Sequence, residues 1–271
     1  MANSSKEKNY DIKRAVKIAL KTLLDSFVVI MFVMCCLFVV FPKTSLKIHE
    51  MLGNNKMQEH NYKMIYARSK DVTDLYNLII FEGNLGNYKD ELYYIDEMLA
   101  RKDYANFCEQ MDKTTIAELK EQQLTSYSAN VNAYLLSRKV ICMYNLQENG
   151  LETYVYRQTL TGKLSEYSFS TYVDLVYNDE NLTKSQKSEK LSCLMDTMDG
   201  INGKLSTLVQ ARVDGLKTAI TISDDDKKDV LRYALMRIYA SRFYVYDMVG
   251  NEELKAENLE LYKEIKTELS N

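Results

Sequence analysis

A single proline, no tryptophan, nine glycines and two histidines stand in 271 residues. So little proline excludes Pro-rich linkers and a turn-dense β-sandwich. Scarce glycine points the same way and leaves helices as the expected element. The two histidines, His49 and His60, are eleven apart, and neither belongs to a Ser–His–carboxylate arrangement. No HExxH, CxxC or phosphate loop occurs, so no catalytic residue, metal ligand or cofactor site is expected. The net charge is −3, and basic residues mostly alternate with acids. That gives no nucleic-acid surface after residue 70. Cys108, Cys142 and Cys193 are spaced too widely for a disulfide framework and read as buried thiols.

Against this polar background stands FVVIMFVMCCLFVVF, fifteen apolar residues in a row from Phe27 to Phe41. Cys35 and Cys36 lie inside it as ordinary apolar filling. Lys21 and Lys43 bracket Thr22 to Pro42, with Asp25 as the one charge between them. A helix of that length rises about 30 Å, the hydrocarbon thickness of a bilayer. A soluble helix keeps a polar face, which this run lacks. The sequence after it, PKTSLKIHE, shows no small-x-small cleavage pattern, so an uncleaved signal-anchor is expected. Pro42 is expected to stop the helix. Six basic residues precede the span: Lys6, Lys8, Lys13, Arg14, Lys17 and Lys21. Lys43, Lys47 and Lys56 follow it. The excess places the N-terminus in the cytoplasm and the rest of the chain outside. IKRAVKIALKTLL, 12–24, is amphipathic. It reads equally as an interfacial helix running into the span and as an ordinary positive flank.

The remaining chain reads as helices in series. Residues 43–70 form a juxtamembrane helical linker with a break at MLGNN. Residues 71–82 and 88–100 carry apolar faces at helical spacing around the turn GNLGNY. Helices continue over 103–120 and 122–148, where Leu124, Tyr127, Val131, Leu135, Arg138 and Cys142 share a face and Gly150 is the expected C-cap. LETYVYRQT and YSFSTYVDLVY, within 151–178, fit either a β-hairpin or two helices separated by Gly162. Helical surroundings favour the second. Thr183 and Gln186 form a capping box that opens 184–220. If unbroken, that segment is an extended, coiled-coil-like helix. Gly200, Gly203 and Gly215 weaken that reading and make a break near DGING the alternative. Ser223 and Asp226 are expected to cap a helix ending at Gly250. Asp224, Asp225 and Asp226 sit where the helix dipole favours carboxylates, so no ion site is assigned to them. A last helix covers 251–269.

Leu75, Leu78, the turn residues Gly86, Asn87 and Tyr88, and the second-helix positions Ile95 and Met98 follow one helix–turn–helix pattern. In this, residues 75–99 resemble a single tetratricopeptide-type repeat. Ile79 and Glu91 depart from it, standing where that family has small residues. No second repeat follows at a 34-residue period. The resemblance implies protein–protein scaffolding. Tyr88, Tyr93 and Tyr94 in this hairpin are the candidate partner-binding face.

The expectation is an all-α protein: one N-terminal transmembrane helix, then a helical bundle or irregular helical-repeat domain. Its parts are a basic cytoplasmic segment (1–21), a signal-anchor (22–42), the linker (43–70), a repeat-like helical region (71–180) and a long-helix C-terminal region (181–271). The expected partners are the lipid bilayer and a protein, or a second copy of the chain, with no nucleic acid. A membrane-anchored scaffold or adaptor fits these features. The alternative is an auxiliary or catalytic subunit of an envelope enzyme, built on scattered Asp, Glu and Tyr. The 21 tyrosines are read as core residues, with a Tyr-lined groove as the competing use.

Overall fold

The computed structural model describes residues 2–111, 131–160, 166–195 and 204–270. Among them there is no β-strand, and the chain is all-α. Twelve helices have both ends described: α1 (Ala2–Val40), α2 (Pro42–Met51), α3 (Asn55–Ser69), α4 (Val72–Leu85), α5 (Tyr88–Leu99), α6 (Val131–Asn145), α7 (Leu151–Leu160), α8 (Glu166–Asn178), α9 (Lys184–Met195), α10 (Lys204–Ile222), α11 (Asp225–Val249) and α12 (Glu252–Ser270). Residues 104–111 are helical as well. By contacts the chain divides into two units, Met1–Leu78 and Ile79–Asn271.

In the first unit, α1 is one continuous helix that joins the amphipathic segment to the apolar run. Val16–Cys36, 21 residues, is long and apolar enough to cross a membrane, and none of it is buried by the protein. The helix ends at Val40. Phe41 takes φ −118°, as a residue before proline must, and Pro42 opens α2 at its first position. The expected break at MLGNN is a helix-ending turn. Gly53 has φ +64°, with Gly53 N–H on Glu50 O at 3.2 Å and Asn54 N–H on His49 O at 3.0 Å. Asn54 then caps α3, accepting from Met57 N–H at 3.2 Å. The α2–α3 pair is joined by polar groups. Asn61 Nδ2 donates to Ser45 Oγ at 3.0 Å, and Gln58 Nε2 to His49 O at 3.0 Å.

In the second unit, α8 is the central helix. It packs against α6, α7, α9 and α11, and every residue from Tyr167 to Val173 is buried. One core gathers Val140, Val155, Phe169, Tyr172, Val176, Leu191 and Val245. A second gathers Ala133, Tyr167, Val213, Leu216, Leu235, Ile238 and Tyr239, with Leu261 and Ile265 of α12 against it. The segment 151–178 is therefore helical where it is described. A helix enclosed on all sides has no polar stripe, and its hydroxyls need internal partners. Arg237, itself buried, supplies them: Nε donates to Ser170 Oγ at 2.7 Å and Nη2 to Thr171 Oγ1 at 3.0 Å. Thr171 Oγ1 in turn donates to Ser137 Oγ at 3.0 Å.

Glu91, the odd residue of the repeat-like hairpin, is fully buried and forms a two-point ion pair with Arg138 of α6, at 2.6 and 2.7 Å. Cys142 Sγ donates to the same carboxylate at 3.2 Å. A β-carbon at Gly83 would stand 2.8 Å from Glu91 Oε1, so α4 has glycine where that carboxylate passes. Burial, with the Glu91 charge beside it, pushes the Cys142 thiol up, which keeps it protonated and unreactive.

Two boundaries differ from expectation. The C-cap after α6 is Gln147, not Gly150. Gln147 has φ +54°, with Gln147 N–H on Tyr144 O at 3.1 Å and Glu148 N–H on Met143 O at 3.0 Å. Gly150 instead precedes α7, its carbonyl accepting from Tyr154 N–H at 2.8 Å. Asp224 rather than Ser223 is the N-cap of α11, because Ser223 N–H still closes α10 on Ala219 O at 3.0 Å. The 184–220 segment is described as α9 and α10. DGING, with Gly200 and Gly203, and the expected anchors Leu124 and Tyr127 lie outside the described residues. The Thr183–Gln186 capping box forms as expected, at 2.9 and 3.3 Å, and Gly250 ends α11 with φ +76°.

Arg138→Leu leaves a buried carboxylate without its counter-charge and is expected to destabilise the full chain by about 3 kcal/mol. The double variant Glu91→Leu/Arg138→Leu is expected to recover most of that loss, read from denaturant unfolding in detergent. Gln147→Gly relieves a left-handed backbone and is expected to add about 0.5–1 kcal/mol, a rise in melting temperature of about 2–4 °C.

Candidate functional site

A hollow of 470 Å³ in the second unit lies beside the α6–α7 turn and the α8–α9 loop. Its lining includes Tyr144, Glu148, Glu152, Asp179, Leu182 and Lys190. A neighbouring hollow of 410 Å³ shares Glu152, Leu182 and Lys190 and adds Gln186 and Glu189. The two form one cleft with four carboxylates and one ammonium. Each side chain is placed by a local device. The left-handed turn at Gln147 swings the chain so that Glu152 falls in the first turn of α7. Asp179 closes a turn after α8, its Oδ1 accepting from Asn181 N–H at 2.9 Å. The capping box at Thr183 starts α9 and places Lys190 two turns in.

Three charges of the cleft, Glu152, Asp179 and Lys190, are tethered. Tyr144 donates to Asp179 Oδ2 in a very short hydrogen bond. That bond, with those from Asn181, holds the Asp179 carboxyl below its usual range. Burial and the Asp179 carboxylate push the Tyr144 phenol well up, so it stays neutral. Burial works against the Glu152 charge, but hydrogen bonds from its own backbone N–H, from Tyr172 and from Lys190 overcome it, and its carboxyl is lowered. Tyr172 Oη reaches Glu152 Oε1 at 3.1 Å and also donates to Lys190 O at 3.2 Å. Lys190 Nζ stands 3.3 Å from Glu152, a half-exposed pair of little energetic weight. With the Asp179 and Glu152 carboxyls depressed and the Tyr144 phenol raised, these three groups keep their charge state near neutral pH. The cleft thus presents standing negative charge, a feature of a binding surface.

The sequence-predicted face behaves differently. Tyr93 is 65 % exposed on α5 and stacks edge-on against Tyr94, ring centres 5.2 Å apart. Tyr88 is half-buried at the start of the same helix. A helix turns about 100° per residue, which puts Tyr88 about 140° from Tyr93. Tyr93 and Tyr94 are thus brought together and Tyr88 is not. His49 is buried on α2 and His60 exposed on α3, and neither lines the cleft. Asp225 is 91 % exposed and pairs with Lys228 at 2.9 Å, an ordinary first-turn carboxylate. Cys35 and Cys36 are exposed on α1, Cys108 is half-buried and Cys142 buried.

Sequence reasoning missed Tyr144, Glu152, Asp179 and Lys190 because they come from four elements across 46 positions, with no spacing to join them. The one local trace was the capping box, which fixes the register of α9. No known family, no curated protein and no solved structure matches this chain.

Tyr144→Phe removes the donor that lowers Asp179. The Asp179 titration, followed by carboxyl NMR, is expected to move up towards the ordinary aspartate value. Asp179 has a depressed folded pKa, so its stabilising contribution is present above the ordinary carboxylate pKa. It is lost as pH falls through the folded value. Wild type and Tyr144→Phe are therefore expected to differ in stability at neutral pH and to converge in acid, below the Asp179 titration.

Proposed function

We propose that this chain is a single-pass, membrane-anchored helical scaffold or adaptor. Its N-terminus lies in the cytoplasm, its helical body lies outside, and the body binds a protein partner or a second copy of the chain. The observation that carries the reading is the contrast between α1 and the second unit. The candidate span leaves all of its apolar residues unburied by the protein, whereas the second unit has two closed cores of its own. A helix so exposed needs a non-aqueous surrounding. The Lys and Arg excess before the span supports the orientation. The resemblance of residues 75–99 to a tetratricopeptide-type repeat points towards protein binding. Within the body, the tethered charge of the cleft fits a basic segment of a partner: Glu148, Glu152, Asp179 and Glu189 outnumber Lys190 four to one. The enzyme alternative is less supported, because Glu152 and Asp179, the cleft's two hydrogen-bonded carboxylates, are both held ionised.

Mild crosslinking, gentle detergent extraction of the full chain and identification of what travels with it test this. A stoichiometric partner is expected. Recovery is expected to fall about tenfold or more for Glu148→Lys/Glu189→Lys, which reverses two exposed charges at the rim. A chain recovered alone and in quantity sinks an obligate complex. A partner retained equally by the double variant sinks the cleft as its seat.

A further inference from the structure

The first unit has a hollow of its own, 380 Å³, where α1 bends into the α2–α3 pair. Val40, Phe41, Pro42 and Ile65 give it apolar walls, and Lys43 and Arg68 supply its charge. No carboxylate lines it. The two acids of α2 and α3 are engaged elsewhere: Glu50 accepts from Tyr62 at 3.3 Å, and Glu59 pairs with Lys63 at 2.7 Å. Arg68 Nη1 donates to Val40 O at 3.3 Å, which fixes the guanidinium beside the last turn of α1. That carbonyl has no amide partner four residues on in an unbroken helix, since the helix stops there. Lys43 and Lys47 are exposed one turn apart on α2, on the side away from buried Ser45 and His49. The hollow therefore begins where the apolar run ends. It is greasy on the side of Val40 and Phe41, which are 59 % and 54 % exposed, and cationic at Lys43 and Arg68.

We propose that this hollow seats one anionic phospholipid, with Lys43 and Arg68 on its phosphate and Phe41 and Ile65 against the glycerol and first acyl carbons. The inference rests on α1 crossing the membrane. If it does, Phe41 comes to the depth where acyl chains give way to headgroups. A lipid is the ligand that offers both chemistries in that order. A guanidinium with five donors in a planar fork matches a phosphate, and a flexible ammonium adds a second point of charge. Neither cation needs to cross the hydrocarbon to reach it. A free phosphate would use the cations and leave the apolar walls wet. A neutral lipid would use the walls and bring no net charge to Lys43 and Arg68.

The test uses the full chain. Alkaline carbonate extraction of membranes comes first: release into the supernatant ends the spanning reading and this inference with it. With the chain retained in the membrane, native mass spectrometry of the detergent-purified protein is compared after exposure to phosphatidylglycerol or phosphatidylcholine. Wild type is expected to keep one phosphatidylglycerol per chain and to release phosphatidylcholine. Lys43→Gln and Arg68→Gln are each expected to weaken retention about fivefold, the effect of about 1 kcal/mol for one cation at an anionic surface. Lys263→Gln, an exposed lysine on α12, is expected to change nothing, and circular dichroism confirms that each variant is folded. Lys43 is exposed, so its variant does not depend on Arg68 being replaceable. Equal retention of the two lipids overturns the proposal, as does undiminished retention by Lys43→Gln/Arg68→Gln. Displacement of the lipid by inorganic phosphate alone makes it a small-anion site and overturns the lipid assignment. A photocrosslink from Phe41→p-benzoylphenylalanine to another protein rather than to lipid overturns it too.

Discussion

The helical body is organised by the enclosure of α8. Four helices pack against it, and the run YSFSTYV is buried along its whole circumference. Serine and threonine hydroxyls in such a place need internal partners, because each one left bare costs roughly 1–3 kcal/mol. The guanidinium of Arg237 meets two of them and, through Thr171, ties Ser137 of α6 into the same network. Helices α6, α8 and α11 are thereby locked in rotation about their axes as well as in contact. The aromatic residues of α8 fill the cores on either side, Tyr167 towards one and Phe169 with Tyr172 towards the other.

Polar links between helices recur through the chain, and they divide by burial. The Glu91–Arg138 pair and the Arg237 network are shielded and specify which helices meet. The Ser45–Asn61 bond does the same for α2 and α3. The cleft at Glu152 and Asp179 is wetter. Its bonds hold side chains in place and fix their charge, yet they leave the carboxylates facing an open hollow. The difference is one of solvent access: a charge satisfied on all sides is structural, and a charge held on one side remains available to a ligand.

Much of the fold was legible in residue spacing. The helical spacing of Leu75, Leu78, Ile95 and Met98 is that of a buried face, and all four are fully buried. Pro42, Gly53 and Gly250 mark real ends of helices, and Thr183 with Gln186 opens α9. Where periodicity was weak the reading wavered. YSFSTYVDLVY carries no polar face because it has none to show, so pattern alone left helix and hairpin both open. The α6 terminus was misplaced because a glutamine, Gln147, adopts the left-handed turn that glycine adopts more easily.

The sequence by itself determined the all-α class, the long apolar N-terminal helix and most helix boundaries. These depend on residues within a few turns of one another: hydrophobic run length, capping pairs, and the scarcity of proline and glycine. Only the tertiary structure decided what the polar residues are for. Glu91 reads as a misfit until Arg138, 47 positions on, arrives beside it. Glu152 and Asp179 read as two carboxylates among many until Tyr144, Tyr172 and Lys190 fix them around one cleft. Electrostatic partners act over a few ångströms of space and any length of chain, so their meaning appears only once the helices have packed.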